Sequence, residues 1–433
     1  MGKRINNIPI AGGNWSNSTT AGAFARNLNN YSTNSNNNVG AADSGPNLKS
    51  FTGILDHRDA LSSDKRTRAD SVNFSSLIVE NLNQSPKQPK RVGYLYERTF
   101  TKESLYEAYL IARKGKRKKP ACFEFELSIG AEIDALYEEL SNGTYKPMPL
   151  HKFEVFEPKR RTIHAPHFRD LVVQHAIYKV IYPIFDSGFI DQSYACRKGG
   201  GTHKASDYTQ AAMRTCDGEL YYAKLDVRKF FYRIDRAILR KQFERKIKDK
   251  RFIDVMCAFV TTNEEIGIPI GNLLSQIYAL VCLNDLDHFV KRELKIKKYV
   301  RYVDDFIAIG LTLEEAKDFK AKCEQFLKDN LNLELSHWTI SKVRKGINFV
   351  GYRTWRSVKF VRRHSVAKFK KAVKRGDFNP VISLIGHAQH SATIVFYSHF
   401  LHKNNLLSNL PPRSKALCLS IINTHPLRTS TQH

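Results

Sequence analysis

The sequence has little that would tie it to a membrane or an oxidising compartment. No apolar run among its 433 residues approaches the roughly 20 needed to cross a bilayer. The N-terminus has no apolar stretch of the secretion-signal kind. These absences lead to the expectation of a cytoplasmic protein with no membrane partner. Seven cysteines lie far apart without a single C-x-x-C pair. That argues against both a disulfide framework and a zinc site, and the thiols are expected to be reduced and mostly buried. Negative charge is scarce too: 69 Lys and Arg face 42 Asp and Glu, leaving a formal net charge of +27. The excess implies a polyanionic partner, nucleic acid first, because each phosphate contact releases counterions. An acidic membrane surface is the rival, but no amphipathic anchor or lipidation motif supports it.

What is present is a globular chain with an irregular beginning. Its apolar content of 42% and its length suit two or three packed subdomains. Residues 1–91 stand apart: Asn, Ser, Gly and Thr crowd positions 6–38, and Ser85-Pro86-Lys87-Gln88-Pro89-Lys90 resembles a linker. Such a composition buries too little apolar surface to offset chain entropy, so disorder is expected there. Beyond it, helical character is expected over 100–112, 123–140, 170–184, 273–294 and 365–375. An extended pair of strands with a turn at 157–160 is expected over 145–164. A short strand at 220–225 and a β-hairpin at 299–310 complete the reading.

The chemistry is concentrated in carboxylates. Tyr302-Val303-Asp304-Asp305-Phe306 puts two adjacent aspartates at the centre of an otherwise apolar hairpin, where turns usually carry Asn-Gly or Asp-Gly. Crowded carboxylates repel unless a cation neutralises them, and magnesium prefers hard oxygen ligands. Asp226 ends the strand Tyr221-Tyr222-Ala223-Lys224-Leu225. If that strand lies beside the hairpin, Asp226 and Asp304 converge at one sheet edge, where two ions could support in-line phosphoryl transfer.

At this point the ordered motifs, over roughly residues 95–400, resemble the reverse transcriptases of bacterial retroelements. Lys224-Leu225-Asp226 with Phe230-Phe231 and Ile234-Asp235 is similar to that family's first palm motif. Gly267 to Gln276 is similar to the second, Tyr302 to Phe306 to the third, and Gly346 to Tyr352 to the segment closing the palm. The resemblance implies an α+β right-hand polymerase fold with an antiparallel palm sheet. Fingers would span 92–219, the palm 220–352 with a fingers insertion near 236–265, and the thumb with a tail 353–433. It also implies RNA-directed DNA synthesis with two Mg2+ ions, Mn2+ being the alternative. The metal set would be Asp226, Val227, Asp304 and Asp305, the three aspartates being the catalytic residues.

Further residues follow from the same resemblance. Lys159 and Arg161, on the fingers turn, would neutralise the triphosphate, with Arg160 solvated. Phe231 would sit beneath the sugar and reject a 2′-hydroxyl, Phe230 being the core ring, and Gln276 would join the nucleotide site. Arg197 and Lys198, beside the glycine run 199–201, would meet template phosphates with Gly271. Arg363 and Lys371 on a basic thumb helix would track the RNA–DNA hybrid. Lys342 and Lys345 are equivalent candidates near the leaving group and are left unassigned. His387, His390, His399 and His402 are expected to be core or surface residues.

Ile270-Gly271 with Ser275-Gln276, where many relatives have Gln-Gly and Ser-Pro, is similar to reverse transcriptases of diversity-generating retroelements. Such enzymes copy a template RNA with errors at adenines and work with a small basic accessory protein. Residues 11–17 and 34–40 resemble the variable end of the lectin-like targets of those elements, as if the frame began in a template-like repeat; ordinary Asn-rich disorder is the alternative. Partners implied are template RNA, the RNA–DNA hybrid, deoxynucleoside triphosphates and the accessory protein. A phage-defence or group II intron-derived reverse transcriptase is the first alternative. A catalytically silent RNA-binding protein on the same fold and a magnesium phosphohydrolase are the others.

Overall fold

A computed structural model describes residues 91–156, 160–261 and 264–426, all within one compact unit. The Asn-rich segment, its template-repeat reading and the linker lie outside the described residues.

The first helices form a layer around one long buried helix. After α1 (Leu95–Thr99), α2 (Lys102–Ala112) starts where Thr101 accepts a hydrogen bond from the Ser104 amide at 3.1 Å. Its buried Leu105, Ala108, Tyr109 and Ala112 fall on one face at helical spacing. The single helical segment expected over 123–140 is two helices, α3 (Pro120–Leu127) and α4 (Ile129–Ser141). The break is at Ser128, whose φ of −126° is not helical. Strands β1 (His151–Val155) and β2 (Arg161–Ala165) pair antiparallel, as the 145–164 pattern predicts. Next come α5 (Phe168–Asp186), whose length is mostly buried, and α6 (Thr202–Arg214).

A four-stranded antiparallel sheet carries the centre of the molecule. Its strands are β3 (Tyr221–Val227), β4 (Tyr299–Tyr302), β5 (Asp305–Leu311) and β6 (Leu335–Lys342), in the order β4-β5-β3-β6. Between β3 and β4 the chain forms α7 (Phe230–Arg233), α8 (Arg236–Glu244), α9 (Lys250–Ala258) and α10 (Leu273–His288). Helix α10 is buried on nearly every side from Leu274 to Leu283, so no one-sided stripe marks it. It stops at His288, short of the expected 294, and the chain continues as one π-helical turn, Phe289–Glu293.

Helix α11 (Leu313–Leu331) opens with a reciprocal capping box between Thr312 and Glu315. A second antiparallel sheet, β7 (Ile347–Phe349), β8 (Tyr352–Thr354) and β9 (Lys359–Val361), leads into α12 (Arg363–Lys374). The expected boundary at 352/353 therefore falls inside β8. Helices α13 (Phe378–Ala388), α14 (Thr393–Lys403) and α15 (Pro412–Thr424) end the described chain. All seven cysteines are free thiols and six are buried, as their spacing suggests. Among the described residues no helix is long and apolar enough to cross a membrane.

Candidate active site

The three aspartates meet because two neighbouring strands put them there. In the β3–β5 ladder Asp226 lies directly opposite Asp305, so both side chains leave the same face of the sheet. The turn between β4 and β5 is only Val303 and Asp304, and the Val227 amide donates to the Asp304 carbonyl at 3.2 Å. That bond brings the turn against the end of β3. Val303 takes a φ of 57°, a left-handed conformation that a β-branched residue rarely adopts.

On the other side of β3, the register against β6 shifts between Asp226 and Val227. Asp226 faces His337, Val227 faces Leu335, and Ser336 is left over. The Ser336 hydroxyl donates to Asp226 Oδ2 at 2.6 Å.

The crowding has an electrostatic cost. Burial, then the charges of Asp226 and Asp305, push the Asp304 carboxyl up to about 7, with Arg161 opposing. Burial likewise raises Asp305 to about 6, opposed by an ion pair with Lys224 at 2.9 Å and, more weakly, by Arg362. Asp305 Oδ1 is buried without a hydrogen-bond partner. A hard divalent cation suits this donor set: partly neutralised carboxylates, one orphaned oxygen, and mutual repulsion that the neighbouring cations only partly offset. Asp226, Asp304, Asp305 and the Val227 carbonyl are the groups on this edge that could hold one. Among the described residues no group of three or more His, Cys, Asp or Glu side chains is already arranged around an ion position. Asp226 is turned to Ser336 and Asp305 to Lys224.

The other expected residues fall into two groups. Arg161, on β2, is close enough to Asp304 for each to influence the other's ionisation, although burial is the larger effect on Arg161 and lowers it. Arg160 is exposed but not merely solvated, since it holds Glu154 with Nε at 3.0 Å and Nη2 at 2.7 Å. Lys159 lies outside the described residues. Phe231 is half-buried, whereas Phe230 is a core ring packed edge-on against it at 5.6 Å. The Phe231 carbonyl accepts from the Ile268 amide at 2.7 Å, which joins the first and second motifs. Gln276 is buried on α10 with its Oε1 unpartnered.

Gly271 has a structural job of its own. At its φ of 107° a Cβ would come within 2.7 Å of Ile163 Cγ2 and 3.1 Å of the His164 carbonyl. It lets the β1–β2 hairpin lie against the start of α10, where the His164 amide donates to the Ile270 carbonyl at 2.6 Å.

Arg197 is engaged by its own loop. Its Nε donates to Asp186 at 2.7 Å, and its Nη1 donates to the carbonyls of Ile190 and Ser193. These bonds fix the guanidinium against its own loop. Lys198 is exposed, its ammonium over the Tyr182 ring at 5.1 Å. Arg363 and Lys371 are exposed on α12, whose other face is held by Phe369 and Ala372. Lys342 is engaged by Glu219 at 2.6 Å. His387 and His390 gather with His203 beside Tyr352, whose hydroxyl donates to the His387 carbonyl at 2.7 Å.

The sequence assigns no role to Lys224 or Ser336, and it counts Arg362 only among the thumb cations that would track the hybrid. Strand periodicity could have found Lys224, two residues before Asp226 on the same face. Arg362 reaches Asp305 only because the second sheet folds back, and Ser336 only because of the bulge; neither leaves a local signal.

Comparison with known proteins agrees with this geometry. Residues 151–354 match the family model for reverse transcriptase (RNA-dependent DNA polymerase). The chain is similar to the protein YkfC of Escherichia coli (strain K12), 24% identical over 275 residues, or 52% of this chain and 71% of that one. It is similar to the group II intron-encoded protein LtrA of Lactococcus lactis subsp. cremoris, 23% identical over 370 residues, or 67% of this chain. Those residues span 60% of the intron-encoded protein, less than two thirds of its length. Among solved structures it is similar to telomerase from Candida albicans in complex with a TWJ fragment of telomeric RNA. That likeness has a TM-score of 0.39 at 13% identity and covers 66% of this chain and 65% of that one. Residues 151–354 are thus similar to a reverse transcriptase domain, a kind of domain that works with divalent metal ions.

Proposed function

We propose that this domain, an RNA-directed DNA polymerase, copies a template RNA into cDNA through Asp226, Asp304 and Asp305. One observation carries the assignment: the opposition of Asp226 and Asp305 across the β3–β5 ladder, with Asp304 in the adjoining turn. The ions in this reading are two Mg2+, or Mn2+, held by the three carboxylates and the Val227 carbonyl; bound there, they supply charge neutralisation for phosphoryl transfer and lower the pKa of the primer 3′-hydroxyl. The chain's own groups do the rest. Arg161 on β2 and, by the resemblance, Lys159 offset the charge of the triphosphate. Phe231 closes the space a 2′-hydroxyl would need, Gln276 joins the nucleotide site, and Gly271 borders the template. Lys198, Arg363 and Lys371 hold backbone phosphates of template and hybrid.

The test is Mg2+-dependent incorporation of deoxynucleotides on a primed RNA template. Asp304→Asn should lower kcat by about 1000-fold or more, since several kcal/mol of charge stabilisation are at stake and each ~1.4 kcal/mol is tenfold in rate. Equal activity in wild type and Asp304→Asn would sink the assignment.

The biological setting has two readings. Ile270-Gly271 and Ser275-Gln276 favour mutagenic retrohoming in a diversity-generating retroelement, with a small basic accessory protein as partner. Similarity to an intron-encoded protein over 67% of this chain favours a group II intron-derived enzyme instead. Sequencing the cDNA separates them: errors concentrated opposite template adenines support the first, and uniform fidelity the second.

A further inference from the structure

Beneath the β4–β5 turn lies an ion pair with no exposure on either side chain, Arg301 with Asp287. Arg301 is on β4, one residue before the motif tyrosine, and Asp287 is in the last turn of α10. The guanidinium grips the carboxylate with both arms, Nε to Oδ1 at 2.7 Å and Nη2 to Oδ2 at 2.5 Å. Its remaining arm, Nη1, donates to the Val303 carbonyl at 2.9 Å. The Tyr299 hydroxyl adds a bond to Asp287 Oδ1 at 2.8 Å.

A buried pair of this kind contributes little net stability, because desolvating both charges offsets most of their attraction. Its value has to lie elsewhere, and the Nη1 bond indicates where. The Val303 carbonyl belongs to the peptide that carries the Asp304 amide, so fixing that oxygen fixes the plane from which Asp304 projects. Val303 is also the β-branched residue held at a φ of 57°. A conformation that unfavourable persists only where the surroundings over-determine it.

We propose that Arg301 is a positioning residue for the aspartate turn: anchored by Asp287 in α10, it locks the strained Val303 peptide and thereby sets the direction of Asp304 and Asp305. The inference rests on the polymerase reading above only for its effect on rate. The backbone of Arg301 is fixed as well, donating to the Gln192 carbonyl at 3.0 Å and accepting from the Tyr194 amide at 3.1 Å. The side chain thus reaches from a strand whose backbone is bonded on both sides to the end of α10, across the two-residue turn. Only the fork of an arginine can make the paired carboxylate bonds and still reach a third acceptor; a lysine keeps the charge and loses that geometry.

The test uses two variants of the full chain. Arg301→Met combined with Asp287→Asn removes both buried charges together, so neither is stranded, and keeps an acceptor for Tyr299. Arg301→Lys keeps the charge and removes the fork, and it serves if the double variant fails to fold. Hydrogen exchange is read on the 299–309 hairpin alongside thermal unfolding, and single-nucleotide incorporation gives kcat and KM separately. Expected are a melting temperature close to wild type, at least tenfold faster exchange confined to the hairpin, and a 10- to 100-fold loss of kcat at unchanged KM. A folded variant with wild-type exchange in the hairpin, or a loosened hairpin with wild-type kcat, would overturn the proposal. If wild type itself does not polymerise, the polymerase reading fails, while the exchange measurement still decides whether the pair holds the turn.

Discussion

At the residue scale the site is a balance of like charges. Folding raises the Asp304 carboxyl to about 7 and Asp305 to about 6, above the unfolded carboxylate range. A raised carboxyl means the folded state binds more protons than the unfolded one, so stability falls as pH rises from about 4 to about 7. In metal-free buffer at pH 7.5 Asp304→Asn should therefore melt higher than wild type, by an amount on the order of 1 kcal/mol. The same variant loses polymerisation. Calorimetry at pH 5 and pH 7.5 checks the sign, since the gap between the two proteins should shrink at the lower pH. Phe231 gives a second residue-scale prediction. Its ring is half-buried beside Phe230, so Phe231→Ala opens space without removing the core ring. Discrimination between deoxy- and ribonucleotides, measured as the ratio of kcat/KM values, should fall by about 100-fold, because a shape-based block is what the ring supplies.

At the scale of elements, the contact between the β1–β2 hairpin and the start of α10 depends on Gly271 having no side chain. Gly271→Ala should push the hairpin, and Arg161 with it, off the α10 start. We expect destabilisation of about 1–3 kcal/mol and a KM for nucleotide that rises more than kcat falls, measured by unfolding and steady-state incorporation. Helix α12 makes a different prediction, because Arg363 and Lys371 are exposed on it. Arg363→Ala and Lys371→Ala should leave stability unchanged. Each should weaken hybrid binding uniformly across sequences and lower the slope of log K against log salt by about 1. Arg197 is the contrast. Its guanidinium holds Asp186 and two carbonyls, so Arg197→Ala should destabilise the 190–198 loop and show in melting temperature before it shows in salt dependence.

At the scale of the whole molecule, net charge and motif order pointed to a nucleic-acid polymerase before any geometry was available. The paired aspartates were legible because carboxylates inside an apolar hairpin contradict turn chemistry. The strand carrying Asp226 was legible because aromatic and aliphatic residues dominate its start, Tyr221 to Leu225. Helix α10 was legible as a long apolar stretch, but its end was not. A helix buried all round carries no one-sided stripe, and the π-turn at 289–293 depends on packing against the rest of the fold. The break at Ser128 and the strand across 352/353 were missed as well; β8 pairs with β7 and β9, its neighbours in sequence.

The sequence by itself determined the chemistry on offer: which carboxylates, which cations, which rings, and in what order along the chain. Those follow from side-chain type and short-range periodicity, both local properties. Only the tertiary structure decided how they are spent. It turned Arg197 inward, paired Lys224 with Asp305, freed Ser336 from the ladder to meet Asp226, and set Arg301 and Asp287 under the Val303 turn. A side chain's partner depends on which distant segment the backbone carries to it, and in a fold whose central sheet has the order β4-β5-β3-β6 those segments come from far along the chain.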